Sequence, residues 1–98
     1  MDDLLEKVKL ALRIKHTALD DDILDNISAC LMDLKVHGIP EPRETDSLIL
    51  NAIKLYARAQ YTDDTTKAAE YLARYEKMRG SLQAAEGYGW KEEAVADE

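Results

Sequence analysis

The stretch Asp46-Ser-Leu-Ile-Leu-Asn-Ala-Ile-Lys-Leu-Tyr-Ala-Arg-Ala-Gln-Tyr61 decides how this chain folds. As a helix with about 3.6 residues per turn, it places one set of apolar side chains in a single stripe: Ile49, Ala52, Ile53, Tyr56 and Ala57. Three further residues widen this stripe, Leu48, Leu55 and Ala59, and the polar stripe that remains holds Asn51, Lys54 and Arg58. A helix that is apolar around most of its circumference must be packed on two sides, so we predict that it is central. Asp46 is its predicted N-cap, and Ser47 could share that role.

Two helices are predicted before this stretch. In residues 2–14, apolar side chains recur at spacings of three and four, and acids fill the first turn, where the helix dipole favours them. An acidic run at residues 20–22 opens a second helix, which continues to about His37. Thr17 and Asp20 are the candidate caps of this second helix.

Glycine, proline and turn-forming residues predict where the helices end. Gly38 is a natural left-handed stop, and residues 38–45, which include two prolines, are predicted to form an extended polar connector. Cap and turn formers at residues 62–66 separate the central helix from a fourth helix, predicted at about residues 65–85. Gly80 lies within that helix, which is expected to bend or end there.

The composition favours one all-α domain. A chain of 98 residues suits a single modest core, and the absence of phenylalanine, with few β-branched runs, disfavours a sheet. We therefore predict a small bundle of about four helices with a central apolar helix, in residues 1–85. Residues 86–98 have two glycines, an acidic end and no helical periodicity, so we predict a flexible acidic C-terminal tail.

Charge and cysteine content narrow the classes of function. Twenty acidic against 13 basic side chains give a net charge of -7, which disfavours a protein that coats nucleic acid or anionic membrane. A pore through which DNA slides without binding remains compatible with this charge. The single cysteine, Cys30, excludes an intrachain disulfide. With no secretion signal and no apolar run of about 20 residues, we expect a soluble protein made inside the cell.

No motif indicates catalysis, a cofactor or a metal ion. Phosphate-binding loops and the common zinc, calcium and dinucleotide spacings are missing from the sequence. His37 suits the dipole at a helix C-terminus better than a ligand role, and His16 is expected to face solvent. The acids at residues 20–22 and 63–64 are interpreted as helix caps in preference to cation sites. Cys30 is expected to be a small core residue, not a nucleophile.

Aromatic residues are the best candidates for recognition. Core packing is the default interpretation for most of the tyrosines, namely Tyr56, Tyr61, Tyr71 and Tyr75. Tyr88 and Trp90 differ, because they lie in the acidic, glycine-flanked tail, outside the predicted core. Both residue types are enriched at interfaces, so Tyr88 and Trp90 are the candidate partner-docking residues. The alternative is a disordered tail that happens to contain two aromatic residues.

Taken in order, the helices resemble a known family. The first contains Leu4-Leu-Glu-Lys-Val-Lys-Leu-Ala-Leu-Arg-Ile14, and the second opens with Leu19-Asp-Asp-Asp-Ile23 and closes at His37-Gly-Ile39. The central stretch quoted above follows, and then a last helix with Tyr75-Glu-Lys-Met-Arg-Gly-Ser-Leu82. This order of elements resembles the phage head-to-tail connector family over residues 4–82.

The resemblance implies a non-enzymatic structural protein of tailed phages and prophages, which acts in head completion and DNA packaging. Members form a ring beneath the portal protein and join the filled head to the tail or to a stopper protein. For this chain it implies a virion component made in the bacterial host cytoplasm, with no cofactor, no metal, no membrane partner and no catalytic residue. DNA is expected to pass through the ring without specific binding.

Two other classes of function remain open. One is a small helical DNA-binding or regulatory adaptor, because short helices joined by turns can imitate a helix-turn-helix. Such a protein is expected to carry a basic recognition stripe, which the sequence lacks. The other is an enzyme subunit whose active site is completed by a partner, although no cluster of residues recommends it.

Overall fold

The computed structural model describes residues 2–39 and 46–84. These residues form four α-helices: α1 (Asp2–Leu12), α2 (Asp20–Val36), α3 (Ser47–Tyr61) and α4 (Thr65–Ala84). The two described segments contain no strand. The predicted all-α bundle of about four helices is therefore confirmed, whereas the predicted tail at residues 86–98 lies outside the described residues.

The apolar stretch forms the central helix, as predicted. Helix α3 packs against each of the other three helices, and most extensively against α4, which follows it after a three-residue turn. Its buried residues are Ile49, Ala52, Ile53 and Ala57. At its start, the Asp46 carboxylate accepts a hydrogen bond of 2.8 Å from the Leu48 backbone N–H, so the predicted N-cap is confirmed.

One continuous core joins the helices. Its buried members are Leu4, Leu5, Val8, Ile23, Ile27, Cys30, Leu34, Ile39, Ile49, Ala52, Ile53, Ala57, Tyr75 and Leu82. Among the described tyrosines only Tyr75 is fully buried, and Tyr56 packs edge-on against it with ring centroids 5.2 Å apart. Tyr61 and Tyr71 are half-buried, so the tyrosines supply less of the core than we predicted.

The start of α2 corrects the predicted caps. Leu19 occupies the N-cap position and makes no side-chain cap hydrogen bond, whereas Asp20 is the first helical residue. The Asp20 carboxylate lies 2.7 Å from Nζ of Lys9, a buried lysine of α1. Neither Thr17 nor Asp20 is the cap, since Leu19 occupies that position. The Asp20 carboxylate instead neutralises a charge that the bundle buries.

Gly38 ends α2 as predicted. Its φ is 94°, and the N–H groups of Gly38 and Ile39 donate to the carbonyls of Lys35 and Leu34 at 3.1 and 2.9 Å. This pair of bonds is a Schellman motif, which carries the chain back onto the core and buries Ile39. The rest of the predicted connector, residues 40–45, lies outside the described residues.

Helix α4 continues past Gly80, where the sequence predicted a bend or an end. The Asp64 carboxylate accepts hydrogen bonds from the N–H groups of Thr66 and Lys67 at 2.9 and 3.1 Å, which confirms an N-cap in this turn. The helix continues through Gly80 to Ala84, so it does not end at the glycine. Packing of Tyr75 and Leu82 on either side stabilises this turn against the glycine's poor helix propensity.

Candidate docking site

An open cavity of about 690 Å³ lies where the ends of α1 and α3 meet the first turns of α4. Apolar side chains from α1 and the segment after it form part of its lining, among them Leu12, Ile14 and Leu19. The rings of Tyr61 and Tyr71 contribute aromatic surface. The volume falls within the roughly 300–1,000 Å³ that is usual for ligand pockets.

Three cations line this cavity: Arg13, Arg58 and Lys67. No carboxylate in the described part of the chain lies within ion-pair distance of any of them, and no described acidic residue lines the cavity. We call this site the basic cavity. In a protein whose net charge is -7, it offers a local positive site for an acidic group.

Arg13 reaches the basic cavity from an unusual backbone conformation. Its φ is 61°, and the N–H groups of Arg13 and Ile14 donate to the carbonyls of Leu10 and Lys9 at 3.1 and 3.0 Å. This is the same Schellman motif that Gly38 makes at the end of α2, where glycine avoids the left-handed penalty. An arginine in this position costs about 1 kcal/mol, and it ends α1 two residues before the predicted Ile14.

Tyr61 fixes the α3 side of the basic cavity. Its hydroxyl donates to the Asp22 carboxylate and accepts a hydrogen bond of 3.0 Å from Nδ2 of Asn26. Burial and the bond to Asp22 raise the pKa of Tyr61 to about 12, so the phenol stays protonated at neutral pH. Asp22, like Asp20, therefore makes a tertiary contact, where a cap had been predicted.

The lining suits binding better than proton transfer. It offers two guanidinium groups, an ammonium group, hydroxyls and apolar surface, and no described imidazole, thiol or carboxylate. The described residues also hold no group of three or more potential metal ligands. Such a lining matches an acidic segment with apolar or aromatic side chains.

A second polar cluster joins α2 to α4 inside the bundle. The Cys30 thiol donates to the Tyr75 hydroxyl at 3.7 Å, and that hydroxyl donates to Oδ2 of Asp33 at 2.6 Å. Nη1 of Arg79 donates to the same oxygen at 2.8 Å, and the guanidinium lies 5.7 Å from the Tyr75 ring centroid. Each of these four side chains therefore has a hydrogen-bond partner within the fold.

Protonation in this cluster follows from burial and from these bonds. Burial raises the pKa of the Cys30 thiol to about 12, and burial and the bond to Asp33 also raise the pKa of Tyr75. Burial acts upward on Asp33 too, but hydrogen bonds from Tyr75 and Arg79 outweigh it and lower the pKa of this carboxyl. At neutral pH the cluster therefore holds a thiol, a phenol and an ionised Asp33–Arg79 pair.

Apolar side chains are exposed on another part of the surface. Met32 and Val36 lie one turn apart on α2 and are 59% and 72% exposed. Leu10 of α1 is 80% exposed. Exposed apolar residues at helical spacing are compatible with a contact surface for another protein.

Comparison with known proteins decides the family. The family model described as "Phage connector protein" matches residues 4–89, which include all the described residues except the first two. The chain belongs to the phage connector protein family. Searches of the curated proteins and of the solved structures give no match. The resemblance predicted from the order of the helices is confirmed, and the family is structural in character.

The connector's predicted docking residues lie outside the described residues. The family match includes Tyr88 and stops at residue 89, one residue before Trp90. Both aromatic residues therefore remain predictions for this connector.

The other candidates of the connector are placed inside the fold or at its surface. Cys30 is fully buried, as predicted. The His37 ring nitrogen Nδ1 lies 2.8 Å from the Asp33 carbonyl in the last turn of α2, which confirms its structural role. Its backbone carbonyl accepts a hydrogen bond from the Gln83 side chain. His16 is exposed, as expected.

Sequence reasoning missed the connector's basic cavity. Arg13 is far from Arg58 and Lys67 in the chain, and each of the three lies in a stretch that is typical of an ordinary helix surface. Their only shared signal is a position near a helix end, next to a predicted turn. The packing of the helices decides which helix ends meet. A position near a helix end therefore could not show that these three cations line one cavity.

Proposed function

We propose that copies of this protein form a ring that connects the phage head, at its portal protein, to the tail or to a stopper protein. The ring would complete the head after DNA packaging and would be part of the virion, made in the cytoplasm of the bacterial host. Membership of the phage connector family over residues 4–89 carries this proposal.

The surface chemistry supports the proposal. A small bundle with a continuous core offers rigid faces, and its exposed apolar residues on α1 and α2 are available for contacts between proteins. A net charge of -7 suits the wall of a channel, because DNA can slide past an acidic surface without binding to it. No helix in the described segments is both long and apolar enough to span a bilayer.

Deleting the gene from the phage that encodes it tests the connector role. We expect DNA-filled heads and separate tails to accumulate in infected cells, and an intact copy supplied on a plasmid should restore joined particles. Electron microscopy and a plaque count read out both results. Joined, infectious particles formed in the absence of the protein would contradict the proposal.

DNA binding separates the connector from the alternative, a DNA-binding or regulatory adaptor. Because the protein is acidic, duplex DNA should bind no more tightly than the non-specific range of about 10⁻⁴ to 10⁻⁶ M at physiological salt. A mobility-shift assay at several salt concentrations measures this. Binding below about 1 μM with a steep salt dependence would favour the adaptor.

A further inference from the structure

We propose that the basic cavity of each subunit receives the acidic aromatic tail, residues 86–98, of the neighbouring copy. This inference rests on the proposed ring and names the contact that holds its subunits together. It assigns Arg13, Arg58 and Lys67 as the cations of the receiving cavity, and Tyr88 and Trp90 as the aromatic anchors that dock in it.

Charge complementarity supports this assignment. The tail carries five acids and one lysine, a net charge of -4: Glu86, Lys91, Glu92, Glu93, Asp97 and Glu98. The basic cavity presents three cations that have no carboxylate partner in the described part of the chain. One exposed pair is worth at most about 1 kcal/mol, but several pairs around one cavity act together.

The apolar part of the basic cavity matches the aromatic part of the tail. A buried Tyr or Trp removes about 150–250 Å² from water, and the lining offers Ile14 and Leu19 together with a tyrosine ring of α4. Arginine beside the cavity can also stack on an indole ring. The tail thus combines the two features that the cavity can recognise, acidic charge and aromatic surface.

The length of α4 disfavours self-docking, because the tail would have to run back along the helix almost fully extended to reach the cavity of its own subunit. Seventeen residues of helix separate Lys67 from Ala84, a distance of about 25 Å, and Tyr71 is about 20 Å from Ala84. Tyr88 is four residues beyond Ala84, so its backbone reaches about 14 Å at full extension, which is less than the distance to Tyr71. The backbone of Trp90 reaches about 20 Å, the distance to Tyr71, only when all six residues after Ala84 are fully extended, which is costly in conformational entropy.

We therefore assign the tail of a second copy as the occupant of the basic cavity. Donor and receiver lie at opposite ends of α4, so each subunit can give its tail to one neighbour and accept the tail of another. Contacts of this head-to-tail kind generate a closed ring when the rotation between subunits closes. The left-handed conformation of Arg13 fits this role, since strained residues concentrate at binding sites.

A peptide of residues 86–98 provides the test. The receptor is the full chain with Trp90→Ala, which has no tryptophan, so the emission of the peptide's Trp90 reports binding directly. We expect a saturable blue shift that weakens as salt is raised. Adding Arg58→Glu and Lys67→Glu to the receptor should weaken binding at least tenfold.

Matched variants keep this test decisive. Arg74→Glu with Lys77→Glu changes the net charge equally on exposed residues of α4, and this control should bind the peptide almost as the parent receptor does. A peptide with Glu92→Lys and Glu93→Lys should regain affinity for the Arg58→Glu, Lys67→Glu receptor, whose fold circular dichroism verifies. Equal binding to the cavity and control receptors, or no emission shift with any receptor, would overturn the assignment.

Phage assembly distinguishes this inference from the connector role itself. A chain that ends at Ala85 should keep its helical signal and melting temperature yet fail to join heads to tails, and Trp90→Ala alone should show a milder defect. If that truncation blocks joining while the peptide ignores the basic cavity, another protein receives the tail and the connector role stands. If the truncated chain joins heads and tails normally, the tail does not hold the ring.

Discussion

Replacing Ile53 with aspartate should unfold the protein at room temperature. Ile53 is 1% exposed and lies in the middle of α3, the helix that touches all the others. The substitution removes an apolar side chain from the core and buries an unpaired carboxylate, which together cost several kcal/mol. That loss consumes most of the roughly 5–15 kcal/mol by which small domains are stable. Circular dichroism during heating measures the result.

Lys54→Ala is the matched control on the same helix. Lys54 is half-buried on the polar stripe, and its ammonium group makes no ion pair with a described residue. The change should alter the free energy of unfolding by no more than about 0.5 kcal/mol. An Ile53→Asp protein that melts within a few degrees of the parent would show that α3 is not the centre of the fold.

Asp33→Asn is expected to cost about 2 kcal/mol at pH 7, the second largest effect. Asp33 accepts two charge-assisted hydrogen bonds that tie α4 to α2, from Tyr75 and from Arg79. Bonds to a charged group contribute roughly 1.5–3 kcal/mol, and asparagine keeps the shape of the side chain without its charge. The side chain is 29% exposed, so water compensates for part of the loss. Urea unfolding monitored by circular dichroism gives the value.

The pH dependence of this effect follows from the lowered pKa of Asp33. Burial acts to raise that pKa, but the bonds from Tyr75 and Arg79 lower it below the unfolded value of about 3.9. A group with a lowered folded pKa stabilises the protein above its unfolded pKa and loses that effect as the pH falls through the folded pKa. The difference between wild type and Asp33→Asn should therefore be constant near neutral pH and shrink below about pH 4.

Asp25→Asn is the control for this pH series, because Asp25 lies on the exposed face of the same helix. It should change stability little at any pH. A stability difference for Asp33→Asn that persists unchanged at pH 2 would mean that the charge of Asp33 is not the source of its stabilising effect.

The central position of α3 could be predicted because it depends on a local pattern. Apolar residues around most of one helix require neighbours, whatever those neighbours are. The caps at Asp46 and Asp64 and the stop at Gly38 were predicted for a similar reason, since each satisfies backbone groups within a few residues of itself.

The role of Asp20 could not be predicted in this way. An acid at the start of a helix reads as a cap, and only the packing of α1 against α2 brings it to 2.7 Å from Nζ of Lys9. A buried lysine has a stronger need for a carboxylate than a helix terminus has, because burial of an unpaired charge costs more than a missing cap. The role of Asp33 was likewise not predictable, because only the packing of α4 against α2 places Tyr75 and Arg79 beside it.

The sequence by itself determined the number of helices, most of their ends, the central helix and the family to which the chain belongs. These features follow from periodicity, capping and the order of elements, which act over short distances along the chain. Only the tertiary structure decided which charges meet. It buried Lys9 with Asp20, joined Asp33 to Arg79, and gathered Arg13, Arg58 and Lys67 around one cavity. The physical reason is that a Coulomb interaction depends on distance in space, which is fixed only when the helices pack.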